Sequence, residues 1–208
     1  MSVADAKLSR DARYWLVPLG RAVIALGIAV AITFSADHSA PVGFIAFGVF
    51  ALLSGLVTGI LGSLLTPRST ERSFFIAQSA VTVAAGIASI ALTSSSASVL
   101  LFIVSAWAAI TGFFELYVGI RSRGRLAESR DWLFVGALTA VFAVVVLLIP
   151  SGYEQAFIGP DKVDRVLTAS VILVGVIGAY AAIVGVYLAI AAFSLKWAPR
   201  AAAESVVQ

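Results

Sequence analysis

Six apolar stretches, each long enough to cross a bilayer as a helix, fill most of this chain. They lie at positions 14–35, 41–65, 73–93, 97–120, 132–150 and 166–195. A helix needs about 20 apolar residues to span the hydrocarbon. Apolar residues make up 61% of the sequence and the mean hydropathy is +1.03, well above a soluble domain, so lipid has to serve as the solvent. No polar segment between the stretches is long enough to fold by itself. The expected fold class is therefore all-α: an integral membrane six-helix bundle forming a single transmembrane domain over 1–208, with short tails at 1–13 and 196–208.

The stretches pair into three copies of one helical hairpin, 14–65, 73–120 and 132–195. In the second helix of each copy an aromatic residue stands five positions before a glycine: Phe50 and Gly55, Trp107 and Gly112, Tyr180 and Gly185. A small residue precedes each aromatic by two: Gly48, Ser105 and Gly178. In the first helix of each copy two small residues stand seven apart, Gly20 and Gly27, Ser79 and Gly86, Gly136 and Ala143, after an aromatic at Trp15, Phe75 or Trp132. Seven residues make two helical turns, so each small pair shares one face. Hiding leucine from lipid gains a helix little, and small residues let backbones approach closely. These positions are expected to pack the bundle; the sharper alternative is that they line a pathway. Transporters also use internal repeats, but they break helices near the midplane. Here the only interruption is Pro18, in the first turns of its helix, where proline is tolerated.

Charge sets the orientation. Eleven of the 14 Lys and Arg residues fall at one end. These are Lys7, Arg10 and Arg13, then Arg68 and Arg72, then Arg121, Arg123, Arg125 and Arg130, and finally Lys196 and Arg200. The opposite end has only Lys162 and Arg165, and Arg21 lies inside the first stretch. By the positive-inside rule both termini are expected to be cytoplasmic, and the cytoplasmic membrane is the expected location. Tyr14, Trp15, Trp132 and Trp197 supply aromatic anchors at that end. The basic loop 121–130 also favours anionic headgroups, although such charge is routine in cytoplasmic loops. The first apolar run is too long for a signal-peptide core and contains Arg21, so helix 1 is expected to be retained.

A resemblance emerges from these same residues. Segments 105–125 and 132–150, with Trp107, Gly112, Glu115, Arg121, Trp132, Gly136 and Pro150, resemble the HdeD-type acid-resistance membrane proteins. That family is built of short hairpin repeats of unknown function. The resemblance extends over all six helices and is weaker in the first and third hairpins. It implies a stress-linked role and no known reaction.

Two charges inside the membrane are the best functional candidates. Arg21 lies about 10 Å into helix 1 and Glu115 about 9 Å from the end of helix 4, at the usual rise per residue. They share a leaflet and a depth, and Gln78 of helix 3 stands at a similar level. Intramembrane charges usually pair or face the bundle interior. A structural ion pair is the first expectation. Snorkelling of Arg21 to the headgroups, or a role in proton coupling or headgroup binding, are the others. His38, beside Asp37 in an outward loop, has the side chain of a pH sensor but reads as a solvated loop residue. The loop 151–165, with Tyr153, Glu154, Phe157, Asp161, Lys162, Asp164 and Arg165, reads as a solvated linker or an interfacial cap. The run Ser94–Ser96 reads as a tight outer turn.

Catalysis finds no foothold. The chain has no cysteine and one histidine. No catalytic residue, metal ligand or cofactor site is expected, and no phosphate-loop or dinucleotide pattern is present. The expected role is non-enzymatic: structural, or an accessory subunit of an envelope assembly. A small transporter or channel and a lipid-binding protein are the alternatives. Membrane lipids, a protein partner or further copies of the chain are the expected contacts, and nucleic acid is not.

The charge split makes a direct prediction. In a chain free of native cysteine, Ser95→Cys should react with a membrane-impermeant thiol reagent added outside intact cells. Reaction only after the cytoplasmic side is opened would invert the topology.

Overall fold

The computed structural model describes residues 13–65, 70–124, 128–158, 162 and 164–197. It contains six helices: α1 (Leu16–Phe34), α2 (Ala40–Leu65), α3 (Thr70–Ala91), α4 (Ala97–Arg121), α5 (Ser129–Leu147) and α6 (Ala169–Trp197). All six are long and apolar enough to cross a membrane. Between a third and a half of each span is buried inside the bundle. The remaining faces carry large apolar side chains such as Val23, Phe102, Ile120, Leu147 and Ile190, far more exposed apolar surface than a water-soluble monomer tolerates. The expected fold class is what the chain adopts. Of the basic positions used for the topology, Lys7, Arg10, Arg68, Arg125 and Arg200 lie outside the described residues, as does Asp161.

Interhelical contacts concentrate on three pairs, α2·α3, α4·α5 and α6·α1. The tight pairs thus run between consecutive sequence hairpins, and the last helix returns to the first to close the ring. The repeat glycines make these contacts. A Cβ on Gly55 would stand 3.0 Å from the backbone nitrogen of Val83, one on Gly112 3.0 Å from that of Ala140, and one on Gly185 3.0 Å from that of Leu26. In each case the even-numbered helix presses its glycine against the backbone of an odd-numbered one, the approach that small residues permit in lipid. Between α2 and α3 hydroxyls add to it: Ser79 donates to the Gly55 carbonyl at 2.6 Å and Ser89 to that of Phe44 at 2.7 Å.

This geometry corrects the register of α1. Leu26, Val83 and Ala140 are equivalent, so the small positions that match Ser79/Gly86 and Gly136/Ala143 are Ala22 and Ala29, both buried, and not Gly20 and Gly27. Gly20 faces Val57 of α2, and Gly27 points into open space. Alanine serves the α1·α6 contact, so the glycines seven apart mark the wrong face.

The described residues of the loop 151–165 form more than a solvated linker. Glu154–Ile158 (β1) pairs antiparallel with Asp164–Thr168 (β2), in the register Glu154 with Thr168, Ala156 with Val166 and Ile158 with Asp164. The apolar run that starts at position 166 therefore begins as a strand and becomes helix only at Ala169. Val166, Leu167 and Thr168 suit a strand, and apolarity alone does not separate a short strand from a helix start. The turn at Ser94–Ser96 joins α3 to α4 as expected, closed by Ser95 N–H to the Leu92 carbonyl at 2.9 Å.

Close contact at the glycines is testable. A Cβ on Gly136 would lie 2.6 Å from the Leu116 backbone nitrogen, so Gly136→Ala must push α5 off α4 and should cost about 1–3 kcal/mol, the range for overpacking. Gly27→Ala meets nothing within 4 Å and should change stability by roughly 0.5 kcal/mol or less, as surface substitutions do. Thermal unfolding of both variants in detergent checks the contrast.

Candidate functional site

Equivalent helix faces converge on the bundle axis. Each even-numbered helix presents residues at i, i+4 and i+8: Phe50, Ser54 and Thr58 from α2; Trp107, Thr111 and Glu115 from α4; Tyr180, Val184 and Leu188 from α6. One turn apart on a helix, such residues share a face. The three aromatic rings meet edge to face: Phe50–Trp107 at 5.8 Å and 87°, Phe50–Tyr180 at 6.4 Å and 88°, Trp107–Tyr180 at 6.1 Å and 84°. Such pairs contribute about 0.5–1.5 kcal/mol each beyond burial. The triad fills the axis, and the more polar positions lie on the side toward the chain termini.

The odd-numbered helices complete the wall. In the corrected register Arg21, Gln78 and Val135 are equivalent, and so are Ala25, Thr82 and Thr139. The second set explains the aromatic positions. Trp107 Nε1–H donates to Thr82 Oγ1 at 3.2 Å. Thr139 gives its own proton to the Val135 carbonyl at 2.7 Å, so the Tyr180 hydroxyl donates to Thr139 Oγ1 at 2.8 Å. The second and third hairpins thus join an aromatic donor to a threonine. The first has Phe50 and Ala25 at those places, an apolar pair with nothing to satisfy.

The charged pair breaks the threefold pattern. Arg21 Nη2 donates to Glu115 Oε1 at 2.7 Å, and Gln78 Nε2 donates to the same oxygen at 2.8 Å. Glu115 is 3% exposed and Arg21 17%. The structure therefore brings together all three polar residues singled out by depth. Arg21 faces the bundle and Glu115, so snorkelling to the headgroups does not describe it. The pair sits in low dielectric, where Coulomb attraction is strong and each charge alone is costly. Of the equivalent positions, Thr58 and Leu188 match Glu115, and Val135 matches Arg21. One charged residue of each sign occupies a scaffold otherwise neutral at this level.

Side-chain depth does not single out Ser54, Thr58, Thr82, Thr111 or Thr139, which also line this cavity. For four of them the signal is the repeat: Ser54 and Thr111 fall one residue before Gly55 and Gly112, and Thr82 and Thr139 fall three after Ser79 and Gly136. The cavity has a free volume of about 20 Å³ for the centre of a water molecule. Arg21 also lines a second hollow nearer the termini, with Tyr14, Glu128, Asp131 and Trp132. Asp131 accepts a hydrogen bond from Tyr187 at 2.8 Å, and Tyr187 stacks on Phe134 at 3.9 Å, joining α5 to α6. His38 is not near this site. It lies between α1 and α2, where the Asp37 carboxylate accepts from Ser39 N–H at 2.8 Å and Ser39 Oγ at 3.0 Å.

Residues 77–148, covering most of α3 and all of α4 and α5, match the family described as a short repeat of unknown function, DUF308, to which the HdeD-like proteins belong. No curated protein and no solved structure matches the chain.

The ion pair predicts a non-additive double mutant. Arg21→Leu and Glu115→Leu should each lower thermal stability, by up to about 3–5 kcal/mol on the scale of soluble cores and by less if water reaches the site. The double variant should recover part of the loss; strict additivity would mean the two charges do not interact. The aromatic–threonine bond behaves alike. Thr139→Ala strands the Tyr180 hydroxyl, and adding Tyr180→Phe reproduces the neutral pair of the first hairpin, with a coupling of about 0.6 kcal/mol expected for a hydrogen bond between membrane helices.

Proposed function

We propose that this multi-pass membrane protein is a non-enzymatic, HdeD-like stress-protective protein of the cytoplasmic membrane, either structural or an accessory subunit of an envelope assembly. One observation carries the structural part of the reading. The axis is filled by the Phe50–Trp107–Tyr180 triad, and most of the polar side chains beside it are engaged with one another or with helix carbonyls. Small-molecule sites usually have about 300–1,000 Å³, against the 20 Å³ of the inner cavity. A solute path would have to part three interlocked rings and a buried ion pair. The stress-protective part rests on the resemblance of the helix 4 and helix 5 pattern to the HdeD type, in the region where the short repeat of unknown function matches. Arg21 turned inward, away from the headgroups, weighs against lipid handling.

Two measurements test the reading. Purified protein in sealed proteoliposomes should add no proton or potassium flux over empty vesicles. A strain lacking the gene should survive acid challenge less well, and a plasmid copy should restore survival. Saturable flux of a solute would replace the structural reading with the transporter. Equal survival of the two strains would remove the stress role.

A further inference from the structure

The ion pair leaves one polar atom unaccounted for. Both donors that reach Glu115, from Arg21 and Gln78, converge on Oε1. Oε2 is buried and has no hydrogen-bond partner in the protein, and the same holds for Ser54 Oγ. Both side chains are more than nine-tenths buried, at 3% and 7% exposure, and both line the inner cavity. An anionic oxygen in such surroundings needs a donor, since burying a polar group without one costs roughly 2–7 kcal/mol. Five neighbouring donors are committed elsewhere. Thr111 donates to the Trp107 carbonyl, Thr82 to that of Gln78 and Thr139 to that of Val135, while Trp107 donates to Thr82 and Tyr180 to Thr139.

The missing partner is defined by three requirements. It must be able both to donate and to accept, because the Glu115 carboxylate oxygen needs a donor and the Ser54 hydroxyl can serve as either. It must be neutral, because Arg21 already balances Glu115 and a second cation beside Arg21 would be repelled in low dielectric. It must fit a space of about 20 Å³, where a water needs at least about 10–15 Å³ by this measure. We infer that the cavity is a water-binding site, in which ordered water bridges Glu115 Oε2 and Ser54 Oγ, with the Thr58 and Thr111 hydroxyls as further partners. The water exchanges with the end of the bundle that carries the termini. Arg21 lines both this cavity and the hollow that Tyr14, Glu128 and Asp131 border at that end, whereas the aromatic triad closes the other side. The ion pair is thus hydrated from one end only.

X-ray radiolytic labelling of the full-length protein in lipid nanodiscs, with ¹⁸O water as bulk solvent, tests this. Bound water yields hydroxyl radicals beside Phe50, Trp107 and Tyr180, which are shielded from bulk. These residues should incorporate label, while Phe44, equally buried away from the cavity, should not. Ser54→Val, which fills the space and removes the hydroxyl, should reduce their labelling to the level of Phe44. Wild-type labelling no higher than at Phe44, or labelling unchanged in Ser54→Val, would overturn the site. Infrared difference spectra between wild type and Glu115→Gln give a second readout. A carboxylate signal supports the water. A protonated-carboxyl band would overturn it, because Oε2 would then carry its own donor.

Discussion

Close backbone contact between helices is the constraint on which the rest of this structure depends. In lipid, an apolar face has no water to escape, so leucine and valine do not tell one helix where to sit. Gly55, Gly112 and Gly185 do, because each allows a neighbouring backbone to approach to a distance no side chain would permit. These three contacts fix the α2·α3, α4·α5 and α6·α1 pairs, and the last of them closes the ring. Once closed, the i, i+4, i+8 faces of the even helices have nowhere to point but the axis, and the aromatic triad follows. The Lys196 ammonium, 4.8 Å from the Trp15 ring centre, joins α6 to the start of α1 at the end where the termini lie.

A symmetric scaffold then holds an asymmetric polar site. The second and third hairpins pair an aromatic donor with a threonine, and the first pairs phenylalanine with alanine. Each solution is complete by itself, whereas a mixture would strand a buried donor or acceptor. The same logic governs the charges. Arg21 and Glu115 come from different hairpins and occupy non-equivalent repeat positions, yet the ring brings them face to face with Gln78 between helices. An ion pair of this kind is weak evidence for stability. Sliding α1 by one turn would leave a buried carboxylate without its cation, so the pair adds a penalty for leaving the register that the Gly185 contact sets.

Much of this architecture was legible in the sequence, for physical reasons that also mark the limits. Spans were legible because bilayer thickness sets a length, and the aromatic-x4-Gly spacing because close packing demands a small residue at a fixed turn. Arg21, Gln78 and Glu115 were legible from depth, since a buried charge needs a partner at its own level. The register of α1 was not, because alanine permits close approach almost as well as glycine, and Gly20 and Gly27 happened to keep the same seven-residue spacing on other faces. The β-hairpin was not, because Val166–Thr168 runs directly into the apolar helix and hydropathy does not change at the border. Thr82 and Thr139 were hidden for a related reason: threonine is common in membrane helices, and only the paired aromatic partner shows what it does.

Closure of the ring by α6 on α1 is the central claim, and it can be measured in the membrane. A Cβ on Gly178 would lie 3.4 Å from Ile32 Cβ, close to the roughly 3.5–4.5 Å a disulfide spans. The Ile32→Cys, Gly178→Cys double variant, in a chain with no other cysteine, should therefore form an intramolecular disulfide on mild oxidation in native membranes. Gly62→Cys with Phe75→Cys, across α2·α3 at 3.6 Å, is the reference pair. Cross-linking of both pairs is the result the account predicts. Cross-linking of the reference pair with none between positions 32 and 178 would leave the ring open and contradict it.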